Sequence, residues 1–275
     1  MDIGEIMTPE VLAQLAVRTY DGPIHLLNSA EELGRAVQAI RDEKVVGLDT
    51  ETRPSFRKGE SYLPCLVQIA TERAAYLFQL KRMDFSRALA GIFENAALVK
   101  AGIGLADDFK GLKKVFHFKP QKVVDLSHVA QTQGFTQSSV RSLAGKLLGF
   151  RISKSSSTSN WATPQLTPKQ IAYAATDAWV CRELYLSFQK LGYLDAHGRP
   201  AKRPLPLMAK DYLDILERMT RTADTHKLQK LGEKKAEIYR NFIESLKEKG
   251  IEISDPAHAA KKALELIPPA KNTAA

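Results

Sequence analysis

Residues 24–127 alternate between short apolar runs and amphipathic helical stretches, and this alternation restricts the possible folds more than any other feature of the chain. The strand-like runs are, in order, IHLL, VVGLDTET, CLVQIAT, AAYLFQL, ALVKAGI and VVDLS. The third and fourth runs are separated by Glu72 and Arg73 and indicate a hairpin, whereas helical stretches join the later runs and indicate βα units. We therefore predict an α/β fold with a mixed sheet of about five strands flanked by helices.

Several short polar patterns indicate where helices begin and end. Ser29 followed by Glu32 is a capping-box pattern ahead of an amphipathic helix. Thr167 followed by Gln170 repeats the pattern ahead of a long helical stretch, and Gly192 is a residue typical of a helix C-terminus. The sequence thus predicts a long helix that closes the α/β region.

A change of composition after the long helix predicts a domain boundary. Residues 193–206 contain three prolines, glycine and basic residues, which is the composition of a linker. It separates a predicted domain at 23–192 from a basic helical C-terminal extension at 207–275, where two amphipathic helices are expected. From residue 196 onward there are sixteen basic and eleven acidic residues, a net charge of +5.

The overall charge indicates the class of partner. The chain has a formal net charge of +9 and a pI near 9.4, which favours polyanions such as nucleic acid. Its two cysteines, Cys65 and Cys181, are far apart and match no disulfide or zinc pattern, so both are expected to be buried thiols. The start has no signal-peptide pattern, and no apolar run approaches the roughly 20 residues of a membrane span. We expect a cytoplasmic protein.

Two acids follow the buried part of a predicted strand. Asp49 and Glu51 are two residues apart, so on a strand their side chains point to the same face. Convergent carboxylates of this kind are the ligands that Mg²⁺ prefers. A solvated strand end is the alternative that this pair alone leaves open.

Further acids lie on predicted helices. Tyr173 and Asp177 are four residues apart and share one face of a helix whose neighbouring residues are small or apolar. Asp107 and Asp108 lie near the start of another helix, where the helix dipole alone would favour both. Each of these acids therefore has a structural explanation as well as a functional one.

Three segments together resemble the exonuclease motifs of the DEDD superfamily, in the branch of ribonuclease D and the Werner-helicase exonuclease. They are VGLDTET, AGIGLADDFKGLKK and SNWATPQLTPKQIAYAATDAW. The resemblance covers about residues 23–192 and implies an RNase H-like fold. The positions that match the metal-binding acids of that family are Asp49, Glu51, Asp108 and Asp177, and Asp107 remains a one-residue alternative to Asp108. Tyr173 matches the residue that defines the tyrosine subtype.

What the resemblance implies about activity is specific. It implies a 3′-5′ exonuclease that uses two divalent cations, Mg²⁺ or Mn²⁺, to remove nucleoside 5′-monophosphates from the 3′ end of single-stranded RNA or DNA. On this reading Asp49 bridges both cations, Glu51 and Asp177 complete the site of the cation that activates water, and Asp108 holds the second. Tyr173 orients the attacking water.

Residues around the motifs are candidates for contacts with the substrate. They are Thr50, Phe56, Arg57, Lys58, Asn160 and Trp161. Basic and aromatic side chains contact phosphates and stack on bases, although a solvated loop at 53–61 and a packing role for Trp161 are the alternatives. The competing functions are a catalytically weak nucleic-acid-binding protein on a nuclease fold and an endonuclease of the ribonuclease H type.

Overall fold

The computed structural model describes residues 6–55, 57, 59–195, 197–202, 205–221, 225–248, 255–257 and 259–260. These residues divide into two compact units, one formed by residues 3–201 and the other by residues from 202 onward. Across the described part of the chain, no helix combines the length and the apolar composition that crossing a bilayer requires.

A mixed sheet forms the centre of the first unit. Its strands are β1 (Ile24–Leu26), β2 (Val45–Thr52), β3 (Pro64–Ala70), β4 (Ala75–Gln79), β5 (Val99–Gly102) and β6 (Val123–Asp125), in the spatial order β1-β4-β3-β2-β5-β6. Strand β3 pairs antiparallel with both β2 and β4, whereas the β1–β4, β2–β5 and β5–β6 pairs are parallel. The predicted hairpin and mixed sheet are confirmed. The expected count of about five strands was wrong by one, because the short β1 also joins the sheet, as a parallel edge strand.

Helices cover both faces of this sheet. The helices of the first unit are α1 (Pro9–Gln14), α2 (Ala30–Arg41), α3 (Ser86–Phe93), α4 (Leu105–Leu112), α5 (Leu126–Gln133), α6 (Val140–Leu143) and α7 (Pro168–Lys190), and a π-helical segment, Ala144–Leu148, continues α6. Helices α2, α3 and α4 share one apolar core with the sheet, and α5 and α7 share another. The fold is therefore a layered α/β sandwich.

The predicted capping residues Ser29 and Thr167 lie at the starts of α2 and α7. Ser29 accepts from the backbone N–H of Glu32 at 3.2 Å, whereas Glu32 accepts from the backbone N–H of Asn28, the residue before the cap, so only half of the predicted capping box forms at α2. Thr167 and Gln170 form both reciprocal bonds of a capping box at the start of α7. These side chains satisfy backbone N–H groups that a helix leaves without partners, which fixes where each helix begins.

Helix α7 lies unusually close to strand β2. A Cβ placed on Gly47 would overlap the carbonyl oxygen of Ala178 and lie 2.7 Å from the backbone nitrogen of Arg182. Glycine at this position therefore lets the helix backbone rest directly on the strand. This approach brings residues of the middle of α7 next to the carboxyl-terminal half of β2.

An N-terminal strap, residues 6–20, precedes β1 and packs on the first unit. A Cβ placed on Gly145 of the π-helical segment would lie 2.6 Å from Leu12 Cδ2 and 3.0 Å from Met7 Cε. The backbone N–H of Met7 donates to the side chain of Gln137 at 2.7 Å. The first unit thus begins well ahead of the residue 23 at which the sequence predicted the domain to start.

The second unit contains the two expected amphipathic helices, α8 (Leu205–Thr220) and α9 (Thr225–Glu248). Their apolar faces meet in a core that includes Ala209, Tyr212 and Phe242. Cys65 and Cys181, both in the first unit, are buried free thiols as predicted.

Candidate functional site

The first two acids of the predicted site lie at the end of the central strand. Asp49 and Glu51 are on β2, where the antiparallel register places them opposite Gln68 and Leu66 of β3. The pairing shifts between Glu51 and Thr52, so the regular ladder ends directly after the second acid. Both carboxylates point to the face of the sheet that α7 covers, and both are half-buried.

Helix α7 supplies the third acid. Asp177 is 6% exposed, and oxygen atoms of its carboxylate and those of Asp49 and Glu51 lie within 4.8 Å of one another. Tyr173 lies one helical turn earlier on the same face of α7, and its hydroxyl partly offsets the rise in the pKa of Asp177. The Tyr173 ring packs 5.9 Å from the ring of Trp161, at an angle of 43°. The predicted sheet-borne and helix-borne parts of the site therefore meet.

Asp108 joins the site from α4. Strand β5 ends at Gly102, Gly104 takes a left-handed conformation with φ of +74°, and α4 begins at the next residue. The hydroxyl of Thr50 donates to Asp108 Oδ1 at 2.6 Å, which links this acid to β2 between Asp49 and Glu51. Asp107, the alternative, is exposed. The geometry therefore favours Asp108 as the acid of the second motif.

Burial raises the pKa of every acid in this group, and repulsion from the other acids of the group adds to the rise for Asp49 and Glu51. Burial is the main cause for Glu51, whose pKa rises to about 9, and repulsion from Asp177 and Asp108 adds to it. Burial also raises the pKa of Asp177 to about 7 and that of Asp108 to about 6, although the Tyr173 hydroxyl opposes the first shift and the hydrogen bond from Thr50 the second. The pKa of Asp49 lies well above its usual range, because it is buried beside all three.

The acidic side chains of this site are suitable ligands for a divalent cation. Carboxylate oxygens are the ligands of Mg²⁺ and Mn²⁺, and three of them converge within 4.8 Å. Close acids that repel one another in the metal-free chain lose that repulsion when a cation lies between them. Asp49, Glu51 and Asp177 are therefore the residues that would hold the metal, with Asp108 beside them.

Three further residues lie close to the site, and the sequence analysis did not assign them. Gln68 is fully buried on the strand next to Asp49, and within the described residues neither of its amide atoms has a hydrogen-bond partner. The positive charge of Arg141 partly offsets the rise in the pKa of Asp177, and the Cys181 thiol has a raised pKa because it is buried near the acids. A polar residue inside the apolar run CLVQIAT was a visible signal for Gln68, whereas nothing in the sequence singled out Arg141.

The predicted substrate contacts have different surroundings. Thr50 is engaged with Asp108, and Arg57 and Asn160 are exposed. Trp161 is completely buried in a cluster with Leu66 and Leu77, so in this structure its ring packs in the core and presents no free face for a base. Phe56 and Lys58 lie outside the described residues.

Comparison with known proteins links this geometry to a family. Residues 24–192 match the family model described as 3′-5′ exonuclease. The chain is 32% identical over 188 residues to the bifunctional 3′-5′ exonuclease/ATP-dependent helicase WRN of Mus musculus, an alignment that covers 64% of this chain and 13% of that protein. It is 28% identical over 178 residues to ribonuclease D of Gluconacetobacter diazotrophicus, covering 63% of this chain and 44% of the relative. The chain thus spans less than half of either relative.

A solved structure has the same fold. Escherichia coli RNase D, described as an exoribonuclease involved in structured RNA processing, superimposes with a TM-score of 0.55 at 18% identity. The alignment covers 89% of this chain and 76% of that one. The mixed sheet with helices on both faces is thus the RNase H-like fold that the motifs predicted.

Proposed function

Because the chain belongs to the family of 3′-5′ exonucleases, we propose that it hydrolyses single-stranded RNA or DNA from the 3′ end and releases nucleoside 5′-monophosphates. One observation carries the proposal: carboxylate oxygens of Asp49, Glu51 and Asp177 converge within 4.8 Å, and Tyr173 lies one helical turn before Asp177 on the same helix. The net charge of +9 supports a polyanionic substrate. The proposed exonuclease domain, residues 23–192, lies within the first compact unit.

The acids have one shared task in this reaction. Asp49, Glu51 and Asp177 would hold a pair of divalent cations, Mg²⁺ or Mn²⁺, and Asp108 would contribute from α4. When bound, such cations activate water and stabilise the charge that develops on the leaving oxygen. Thr50 keeps Asp108 turned toward the site through its 2.6 Å hydrogen bond. Helix α7 and strand β2 fix the distances between the acids, because their backbones pack directly on each other.

Tyr173 positions the attacking water in this proposal. Its ring packs against Trp161 with 5.9 Å between the ring centroids, and its hydroxyl lies near the Asp177 carboxylate. Burial and the nearby acids raise the pKa of Tyr173, so the hydroxyl keeps its proton at neutral pH. The Tyr173 hydroxyl therefore acts as a hydrogen-bonding group, and a different group removes the proton from the attacking water.

Contacts to the strand and the choice of sugar are proposals of the same kind. Arg57 and Asn160 are exposed and available to the phosphate backbone. Relatives of the chain carry the names of a helicase-linked exonuclease and of a ribonuclease. We propose that the chain accepts RNA or DNA, with side chains near the 2′ position setting the preference.

The test is digestion of labelled single-stranded oligomers with Mg²⁺ or Mn²⁺. RNA and DNA labelled at the 5′ end should give a ladder that shortens one nucleotide at a time from the 3′ end, and chromatography should identify nucleoside 5′-monophosphates. Shortening from the 5′ end, internal cuts, or full activity in Asp49→Asn would contradict the proposal. Binding without cleavage in the presence of either metal would instead indicate a nucleic-acid-binding protein on a nuclease fold.

A matched pair of variants tests the assignment of the second motif. Asp108→Asn should reduce kcat by at least about a hundredfold, because it removes a charge that faces the site. Asp107→Asn removes the same charge from an exposed neighbour and should leave kcat within about twofold. The reverse result would transfer the role to Asp107.

A further inference from the structure

The N-terminal strap lies outside the family-matched residues 24–192, yet it is built into the first unit. The backbone N–H of Arg18 donates to the carbonyl oxygen of Arg151 at 2.9 Å. The Arg18 guanidinium lies 5.6 Å from the centre of the Phe150 ring, within the range of a cation–π interaction. These contacts fix the course of the strap and the direction of its arginine.

The strap also reaches helix α7 beside the acidic site. The backbone N–H of Tyr20 donates to Thr176 Oγ1 at 3.0 Å, and the rings of Tyr20 and Trp179 lie 5.9 Å apart. Thr176 directly precedes Asp177 in the helix. The strap is therefore attached one residue away from a proposed metal ligand.

A cleft of about 240 Å³ opens between the strap and α7. Two of its lining residues, Tyr173 and Asp177, also belong to the acidic site. The rest of its polar lining includes Arg18, Thr19, Ser153, Ser155 and Lys169. The cleft therefore adjoins the site and adds cations and hydroxyls to it.

This lining has the chemistry of a phosphate site. Arg18, Ser155 and Lys169 are exposed, and Ser153 donates its hydroxyl hydrogen to Ser155 Oγ at 3.0 Å, which leaves the Ser155 hydroxyl to donate to a ligand. Guanidinium, ammonium and hydroxyl groups are the side chains that bind phosphate oxygens. Because Tyr173 and Asp177 line both the cleft and the acidic site, an anion bound in the cleft would lie next to that site.

We propose that the N-terminal strap and the loop at 151–160 form a phosphate-binding subsite next to the hydrolytic site, with Arg18 as its main cation. The subsite holds a phosphate of the substrate strand other than the one that is cleaved. The inference rests on the proposed function, since a strand must reach the acids for its neighbouring phosphate to reach Arg18. It gives a binding role to a segment that the family model does not cover.

Equilibrium binding tests the subsite without any turnover. The full chain is titrated with a fluorescent single-stranded oligomer in EDTA at several salt concentrations. Arg18→Gln should weaken binding about three- to tenfold at low salt, and it should lower the slope of log K against log salt by about 0.7, the value for one lost phosphate contact. Arg18→Lys, which keeps the charge, should restore most of the slope.

Arg87→Gln is the matched control. Arg87 is an exposed residue of α3, on the opposite face of the sheet, and the substitution removes the same charge. It should leave affinity and slope unchanged. If Arg18→Gln and Arg87→Gln behave alike while both stay folded by circular dichroism, the subsite does not exist.

Modified substrates identify which phosphate is held. Replacing the linkage beside the scissile one by a neutral methylphosphonate should weaken binding to the wild type but not to Arg18→Gln, if the subsite holds a backbone phosphate. A 3′-terminal phosphate should instead strengthen binding to the wild type alone, if the subsite holds the end of the strand. Equal responses of wild type and Arg18→Gln to both modifications would overturn the proposal. Failure of every protein to cleave would refute the proposed hydrolysis, whereas the binding comparison would still decide on the subsite.

Discussion

The buried acids are the residues whose surroundings depart most from ordinary protein chemistry. Like charges at close range in a partly buried setting destabilise the folded state, because each carboxylate loses water and repels its neighbours. Both costs apply to Asp49, Glu51 and Asp177, because oxygen atoms of their carboxylates lie within 4.8 Å of one another. Natural proteins keep such arrangements where a reaction or a ligand requires them.

Removing one of these carboxylates should raise the stability of the metal-free protein and lower its activity. Asp49→Asn deletes a carboxylate whose pKa is raised by burial and by Asp177, Glu51 and Asp108. We expect the metal-free variant to gain about 1–2 kcal/mol of stability, a rise in Tm of roughly 2–4 °C per kcal/mol, and to lose activity by more than about a thousandfold. Thermal unfolding in EDTA and the oligomer assay measure the two effects. A destabilised variant would show that Asp49 supports the fold.

The raised pKa values also predict how stability depends on pH. An unfolded carboxyl ionises near pH 4, whereas the folded site holds its protons up to about pH 6 at Asp108, about 7 at Asp177 and about 9 at Glu51. Between about pH 4 and pH 9 the folded state therefore binds more protons than the unfolded state, and the contribution of these acids to the free energy of unfolding falls as pH rises.

Urea unfolding of the metal-free protein at a series of pH values measures this trend. Asp49→Asn should show a shallower decline than the wild type, since it has one fewer acid in the cluster. Saturating Mg²⁺ should stabilise the wild type most at the upper end of the range, where the acids are ionised and free to bind it. Identical pH dependence of wild type and variant would contradict the assigned electrostatics.

Tyr173 offers a test at a single atom. Tyr173→Phe removes the hydroxyl near Asp177 and leaves the ring against Trp161. We expect kcat to fall by about tenfold to a hundredfold with little change in KM, because a displaced water slows the reaction while strand binding persists. Single-turnover kinetics on a labelled oligomer provide the measurement. Unchanged kcat would remove Tyr173 from the proposed reaction and leave the proposed metal ligands unaffected.

At the scale of elements, the site depends on how closely α7 approaches β2. Gly47→Ala would drive a methyl group into the carbonyl oxygen of Ala178, and a backbone atom cannot rotate away. We expect a loss of more than about 3 kcal/mol, or failure to fold. Gly34→Ala is the control, because this exposed position in α2 has nothing within 4 Å of an added Cβ. It should stabilise the chain by about 0.5–1 kcal/mol. Chemical denaturation compares the two.

The sequence predicted elements well where a local pattern determines them. Alternating apolar runs and the capping residues Ser29 and Thr167 identified β2, the hairpin and the starts of α2 and α7, because capping and periodicity depend on near neighbours in the chain. The edge position of β1 and the π-helical turn at Ala144–Leu148 depend on contacts distant in sequence. No local pattern reports such contacts.

The same distinction applies to the site. Asp49 and Glu51 could be paired from the period of a strand, and Tyr173 and Asp177 from the period of a helix. Which of Asp107 and Asp108 faces the site depends on the turn at Gly104 and on the bond from Thr50, which only the folded chain shows. Trp161 could not be told from a base platform, because burial of an aromatic residue is decided by tertiary packing.

At the scale of the whole molecule, each compact unit has its own core. The clusters that include Phe93, Leu184 and Trp161 lie within residues 3–201, and the cluster around Phe242 lies in the second unit. We expect residues 1–201 to fold without the rest and to unfold in one cooperative transition. Circular dichroism during thermal unfolding tests this. A broad transition without a folded baseline would show that the second unit is required.

The N-terminal strap has a consequence for modularity. A domain that is moved from one protein to another is usually defined by the region that its family shares. In this chain that region is residues 24–192. A piece cut at those limits keeps every acid of the site but leaves behind Arg18 and the backbone partner of Thr176. A transplanted segment 24–192 would thus keep the four acids but would lack the strap residues that line one side of the cleft. The segment that must be transferred to keep the N-terminal strap is therefore longer than the segment that the family model matches.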